Sequence, residues 1–83
     1  MRVEVYIKPS CSLCERAKEL LTLAGERWGF ELAVHDIYER ADWFARYRYE
    51  IPVIAIEGIE RLRLNFTEAQ LAAALRDAAQ TGA

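Results

Sequence analysis

The sequence lacks long apolar runs, and none of its segments approaches the roughly 20 residues that a membrane-spanning helix needs. It also lacks an excess of charge of one sign, because 11 Lys and Arg face 13 Asp and Glu for a formal net charge of −2. This balance favours neither nucleic acid nor a membrane surface as a partner. The N-terminal residues alternate charged with apolar side chains and have no unbroken apolar centre of a signal peptide. We therefore expect a cytoplasmic protein.

Cysteine and histidine are scarce, with two cysteines and the single histidine His35. In a reducing cytoplasm two cysteines are not expected to form a permanent structural disulfide. Together with His35 they supply at most three metal ligands, whereas structural zinc is bound by four. We therefore expect no resident metal and a packing or edge role for His35.

The length and composition indicate one globular domain spanning residues 1–83. Apolar residues make up 53% of the chain and charged residues 29%, which is ordinary for a soluble domain. A chain of this size buries only about 60% of its unfolded surface, so its core is thin. We expect it to be a monomer.

The hydrophobic periodicity predicts the element order β-α-β-α-β-β-α. Period-two alternation and β-branched runs predict strands over 2–7, 30–37, 51–56 and 59–65. Apolar spacing of three and four predicts helices over 13–28, over 40–49 and from residue 67 onward, with fraying over 80–83. The first half is then a parallel βαβ unit and the second half ends in a hairpin that turns at Glu57-Gly58. Such an α/β chain closes as a four-stranded mixed sheet with helices on both faces.

The helix ends carry their own signals. Ser10 or Cys11 can cap the first helix, and Gly29 ends it. Leu13 and Trp28 belong to its apolar face by periodicity. The last helix begins with a capping-box pattern formed by Thr67 and Gln70 and with a hydrophobic staple formed by Phe66 and Leu71.

Cys11 and Cys14 stand at the junction of the first strand and the first helix. Unpaired backbone N–H groups and the positive end of the helix dipole meet at such a junction and favour a thiolate. The pKa of a cysteine there commonly falls from about 8.5 to about 7 or below, and Lys8 adds a further positive charge. The pattern predicts that Cys11 attacks a disulfide and that Cys14, on the inner side of the helix, resolves the mixed disulfide. Half of a metal site and two inert buried thiols are the alternatives.

Pro52 is out of place in a central-strand pattern because it removes a donor from the ladder. One explanation is that it occupies the first position of a strand, where a proline is tolerated. The other is a cis Ile51–Pro52 bond beside the thiols, which would leave the backbone of Ile51 free to pair with a substrate peptide.

The segments YIKPSCSLC and YEIPVIAIEG resemble the glutaredoxins, and most closely the short bacterial glutaredoxin-like proteins. The resemblance covers most of the chain and implies the thioredoxin fold with Pro52 in the cis form. It also implies that Cys11 is the nucleophile, that Cys14 is the resolving thiol and that Lys8 holds a carboxylate of glutathione.

Two features depart from the glutaredoxin pattern. Ser12 and Leu13 separate the cysteines where proline and tyrosine are usual, and RLRLNFTEAQ replaces the glycine-pair and aspartate segment that grips glutathione. Thr67 and the first amides of the last helix remain as candidates for binding an anion.

The function expected from these residues is thiol–disulfide exchange on proteins or on glutathione mixed disulfides, with no bound cofactor. Glutathione, through an incomplete binding motif, or a reductant of the thioredoxin-reductase type would regenerate the dithiol. The alternatives are a binding module without redox turnover and a dimer that binds a metal or an iron–sulfur cluster.

Basic residues occur in two places. One cluster interleaves arginines with aromatic residues, namely Arg40, Arg46 and Arg48 with Trp43, Tyr47 and Tyr49. It fits a helix with inward aromatics and solvated arginines, or a surface that steers an acidic partner or glutathione. Alternation also predicts that Arg61 and Arg63 project together from the outer face of the last strand, where charge deters edge-to-edge aggregation.

Overall fold

The computed structural model describes residues 1–81 and confirms the predicted order of elements. The strands are β1 (Arg2–Ile7), β2 (Glu31–Asp36), β3 (Val53–Ile56) and β4 (Ile59–Arg63). The helices are α1 (Ser12–Trp28), α2 (Ala41–Tyr47) and α3 (Glu68–Thr81), and a single 3-10 turn (Ile37–Glu39) precedes α2.

The four strands form one mixed sheet in the order β2-β1-β3-β4. β1 is parallel to β2 and antiparallel to β3, so that Val5 is paired with both Val34 and Ile54. β3 and β4 are joined by the two-residue turn Glu57-Gly58, whose φ values are 52° and 80°. Two successive positive φ values are typical of the tight hairpin turn that the sequence predicts there.

Helices cover both faces of this sheet, as predicted. Val3 and Val5 are fully buried on one face, in a core shared with Leu21 of α1 and Leu75 of α3. Tyr6 points to the opposite face because strand side chains alternate. There its ring lies 5.6 Å from that of Trp43, so α2 packs on this second face.

The ends of α1 follow the sequence signals, but its buried stripe is narrower than predicted. Cys11 rather than Ser10 is the N-cap, and Gly29 closes the helix with a φ of 75°. Leu13 and Trp28 are each 38% exposed, although periodicity placed them on the apolar face. The buried stripe runs through Cys14, Ala17 and Leu21, and Leu13 lies about 100° around the helix from Cys14.

Several helices and strands are shorter than the segments that the hydrophobic periodicity predicts. β3 starts after Pro52, which has no N–H for the ladder, and β4 stops before Leu64, whose φ is 62°. The helix predicted over 40–49 spans Ala41–Tyr47. Fraying over 80–83 stays a prediction, since α3 is described as far as Thr81 and residues 82–83 lie outside the described residues.

A β-bulge in β4 contradicts the prediction that Arg61 and Arg63 project together. Ile54 is paired with Leu62 and Ala55 with Glu60, so Arg61 is an extra residue on its strand. Its guanidinium contacts Asp77 of α3 at 2.9 Å, whereas Arg63 bonds to Glu50. The bulge therefore turns the two arginines toward different partners.

No helix within residues 1–81 combines the length and the apolar character needed to cross a membrane.

Candidate active site

Three loop segments meet at one end of the sheet. β1 and β2 are parallel and finish together at the pair Ile7–Asp36. β3 runs the other way, so it begins at this end, and β4 finishes there because Val53 is paired with Arg63. The cysteine loop after β1, the Ile51–Pro52 step before β3 and the segment after β4 therefore lie side by side.

The two cysteines close the first turn of α1. They are disulfide-bonded, with their Cα atoms 5.2 Å apart. Cys11 has an extended backbone, with φ −129° and ψ 108°, and its Sγ accepts a hydrogen bond of 3.2 Å from the N–H of Cys14. A sulfur in the cap position thus takes the place of the usual capping oxygen and lies where the helix dipole is most positive.

The environments of the two sulfur-bearing residues differ. Cys14 is 0% exposed and belongs to the buried stripe of α1, whereas Cys11 is partly exposed and packs at the border of the core. Cys11 is therefore accessible from solvent, whereas Cys14 is covered by the protein. This arrangement suits an outer attacking thiol and an inner resolving thiol.

The Ile51–Pro52 bond is cis, the geometry that the resemblance implies. Both residues are buried at the sheet end that carries the cysteines. The carbonyl oxygen of Pro52 accepts a hydrogen bond of 2.9 Å from the N–H of Leu64. Within residues 1–81, Ile51 forms no backbone hydrogen bond, so its N–H and carbonyl groups are unpaired.

The N-terminus of α3 is closed by its own capping box. Thr67 Oγ1 accepts from the N–H of Gln70 at 3.0 Å, and Gln70 Oε1 accepts from the N–H of Thr67 at 2.9 Å. The preceding residues are held by Arg16, which donates to Phe66 O at 2.6 Å and to Asn65 Oδ1 at 3.2 Å. The groups of Thr67 that were predicted to take an anion are thus engaged within the chain.

Lys8 follows β1 directly and is partly buried. Tyr6 is paired with Val53, so Lys8 leaves β1 at the end of the sheet where Ile51 leads into β3. Its ammonium forms no ion pair within the described residues. The structure therefore brings Lys8 to the same end as Cys11 and leaves its charge available.

A polar aromatic cluster under α2 was not foreseen from the sequence. His35 has the predicted packing role, because its ring lies 5.0 Å from that of Tyr6 and 4.7 Å from that of Trp43 while its Nε2 is 2.9 Å from Glu4 Oε2. Tyr6 also stacks on Tyr47 with a ring separation of 4.4 Å. The sequence offered one signal for this cluster, namely the alternation along β1 that directs Glu4 and Tyr6 away from the main core.

Tyr47 is a buried member of this cluster, and its hydroxyl group has a side-chain partner. It donates a hydrogen bond of 2.9 Å to Glu60 Oε1. Burial, and then the hydrogen bond and negative charge of Glu60, raise the pKa of Tyr47 to about 12. Burial and the nearby Glu4 carboxylate also raise the pKa of Tyr6. Both phenols therefore serve as neutral packing and hydrogen-bonding groups at neutral pH.

Among residues 1–81, no three side chains of His, Cys, Asp or Glu are grouped so that they could hold a metal ion.

Solved structures define the fold. Thioredoxin 1 from Thermosipho africanus matches 99% of this chain over 98% of its own, with 17% identity and a TM-score of 0.74. Thioredoxin from Fasciola hepatica matches 92% over 78% of its own chain, with 23% identity and a TM-score of 0.61. A structural-genomics target protein from X. campestris matches 90% over 96% of its own chain, with 29% identity and a TM-score of 0.76. The chain thus has a thioredoxin fold, with a CxxC pair at the start of its first helix.

A family model classifies the chain more narrowly than the solved structures do. The model of the family described as "Glutaredoxin-like domain (DUF836)" matches residues 2–76, which is most of the chain. The chain therefore belongs to this glutaredoxin-like family, and the resemblance seen in its motifs is confirmed.

Proposed function

We propose that this protein is a thiol–disulfide oxidoreductase in which Cys11 is the nucleophile and Cys14 the resolving thiol. One observation carries the proposal: the disulfide-bonded pair closes the first turn of a helix, with Cys11 partly exposed at the cap and Cys14 fully buried behind it. Inert buried thiols would not require this difference in access.

The reaction starts from the dithiol form. The Cys11 thiolate attacks one sulfur of the substrate disulfide, a Cys11–substrate S–S bond forms, and the displaced substrate sulfur leaves as a thiolate that takes up a proton. Cys14 loses its proton and attacks Cys11 Sγ, which breaks the mixed disulfide and releases the second substrate thiol. Two electrons and two protons have then passed to the substrate, and Cys11 and Cys14 are oxidised to the disulfide.

The neighbouring residues position the substrate in this scheme. The unpaired peptide groups of Ile51 form hydrogen bonds with the backbone of an extended substrate segment next to its cysteine. Pro52 fixes this part of the chain beside the thiols. Lys8 supplies a positive charge that favours the departing or attacking thiolate.

Protein disulfides are the proposed substrates rather than glutathione mixed disulfides. Glutathione would need a group to hold its γ-glutamyl carboxylate, and the side-chain oxygens of Thr67 and Gln70 at the start of α3 already accept from each other's N–H groups. A dithiol reductant of the thioredoxin-reductase type, rather than glutathione, would return the Cys11–Cys14 disulfide to the dithiol. The proposed compartment is the cytoplasm, where a reductant keeps such a pair turning over.

A single-turnover assay with three variants tests this function. Reduced wild-type protein is mixed with a peptide disulfide, and free peptide thiol is measured over time together with the mass of the protein. We expect Cys11→Ser to abolish thiol release and Cys14→Ser to stop at a mixed disulfide. Leu23→Ser, on an exposed position of α1 in its second half, is the control and should match the wild type. Thiol release by Cys11→Ser at the wild-type rate would refute the proposal.

A further inference from the structure

Four exposed or half-buried side chains form a continuous row beside the active site. The ring of Tyr38 lies 5.6 Å from that of Phe44. The guanidinium of Arg48 lies 5.5 Å from the centre of the Phe44 ring and 4.7 Å from that of Tyr49. We call Tyr38, Phe44, Arg48 and Tyr49 the aromatic ladder. Tyr38 is 59% exposed and Tyr49 80% exposed, so the ladder presents large ring surfaces to solvent.

The ladder runs along the end of the sheet that carries the cysteines. Tyr38 comes two residues after β2, which finishes at that end, and Tyr49 precedes Ile51 by two residues. The Tyr49 end of the ladder is therefore the end that lies nearest in the chain to the unpaired peptide groups of Ile51. Exposed apolar surface next to a functional site is a common mark of a docking surface.

The charge of the ladder is uncompensated at its Tyr49 end. The other two arginines of this region are ion-paired, Arg40 with Asp42 at 2.8 Å and Arg46 with Glu60 at 2.7 Å. Arg48 has no carboxylate partner within residues 1–81, and its contacts there are the two rings.

The acidic groups nearby do not neutralise Arg48. Asp36 accepts a hydrogen bond of 2.9 Å from the N–H of Tyr38, and Glu50 is bonded to Arg63. Glu39 is exposed next to Tyr38, at the opposite end of the ladder. The ladder is thus positive near Ile51 and negative at its far end.

We propose that the aromatic ladder docks an acidic segment of a polypeptide substrate, with an Asp or Glu on Arg48 and apolar or aromatic side chains on the rings of Tyr49 and Phe44. The acidic residue lies close to the substrate cysteine, because Arg48 stacks on Tyr49, the end of the ladder nearest to Ile51. A row of four side chains accommodates an extended chain rather than a single carboxylate. The proposal adds a recognition element to the proposed oxidoreductase function.

Binding to a thiol-free protein tests the ladder independently of redox turnover. The Cys11→Ser/Cys14→Ser protein is titrated, by fluorescence anisotropy, with two labelled peptides in which alanine replaces cysteine. They differ only in having glutamate or lysine two residues from that alanine, and both carry a phenylalanine next to the charge. We expect the glutamate peptide to bind at least about tenfold more tightly, with an affinity that falls as salt is added. Equal affinities would overturn the proposal.

Matched charge reversals locate the binding surface. Arg48→Glu should weaken binding of the glutamate peptide by about tenfold or more. Tyr49→Ala, which changes no charge, should weaken the same binding several-fold. Arg27→Glu makes the same charge change at the exposed far end of α1, about 25 Å along the helix from Cys11, and should leave binding within about twofold. Equal losses in Arg48→Glu and Arg27→Glu would show a non-specific effect and overturn the proposal.

Glutathione distinguishes a polypeptide site from a site for small carboxylates. Added in its reduced form at millimolar concentration, it should not displace the glutamate peptide from the thiol-free protein. Displacement by reduced glutathione, where sodium chloride of the same ionic strength displaces nothing, would assign Arg48 to glutathione instead and contradict the proposal. If the wild type reduced no disulfide but the peptides bound as expected, the oxidoreductase function would be refuted and the docking surface would still be supported.

Discussion

The N–H of Leu64 donates a hydrogen bond of 2.9 Å to the carbonyl oxygen of Pro52. The same N–H lies 3.3 Å from the carbonyl oxygen of Glu50. These contacts tie the segment after β4 to the step that borders the cysteines, and Leu64 adopts a left-handed φ of 62° to make them. The chain therefore holds Pro52 through the backbone of a residue whose own side chain is exposed.

Leu64→Pro should be markedly destabilising. Proline has no N–H for the bonds to Pro52 and Glu50 and cannot adopt a φ of 62°, so we expect a loss of about 2 kcal/mol or more in the free energy of unfolding. Leu64→Gly is the matched control, because glycine adopts this φ readily, and it should stay within about 1 kcal/mol of the wild type. Urea unfolding measures both. Equal losses in the two variants would assign the effect to the Leu64 side chain instead.

Thr67→Ala should weaken the start of α3. The variant removes the hydroxyl that accepts from the N–H of Gln70, and loss of such a cap typically costs about 1 kcal/mol. Thr22→Ala makes the same chemical change at an exposed position inside α1 and should cause no loss, because alanine is the better helix former. Equal stability of the two variants in denaturant unfolding would contradict a stabilising role of the Thr67 cap.

The raised pKa of Tyr47 predicts a loss of stability at high pH. The unfolded phenol ionises near its ordinary pKa of 10.0, whereas the folded one stays protonated until about 12. The unfolded state therefore binds fewer protons between these values, so this contribution to stability is complete below pH 10 and is lost as the pH rises through about 12. Tyr47→Phe keeps the ring without the ionisable group, so its unfolding free energy should decline less steeply across the same range. Parallel declines would refute this assignment.

The order of elements could be predicted because each carries its period locally. Period-two strands, the caps at Cys11 and Gly29 and the turn at Glu57-Gly58 all lie within a few residues of the features that they define. The bulge at Arg61 could not be predicted, because IERLRLN alternates without interruption and the extra residue appears only in the pairing with β3.

The parts of the site that consist of short sequence motifs could be predicted. The CxxC pair and the Ile51–Pro52 step are visible in the sequence, and the topology brings them to one end of the sheet. The capping box that the sequence predicts at Thr67 and Gln70 is present, whereas the anion-binding role of Thr67 and the first amides of α3 stays a prediction. The cluster around His35 was missed because Glu4 and His35 are 31 residues apart.

The central claim is that Cys11 attacks and Cys14 resolves, and the mass of trapped intermediates tests it most directly. Reduced Cys14→Ser protein is incubated with a peptide disulfide, quenched in acid and measured by intact mass spectrometry alongside reduced Cys11→Ser protein. We predict a single peptide adduct on Cys14→Ser that a dithiol removes, and none on Cys11→Ser, because Cys14 is buried behind Cys11. Adduct formation on Cys11→Ser at the same rate, or none on Cys14→Ser, would contradict the account.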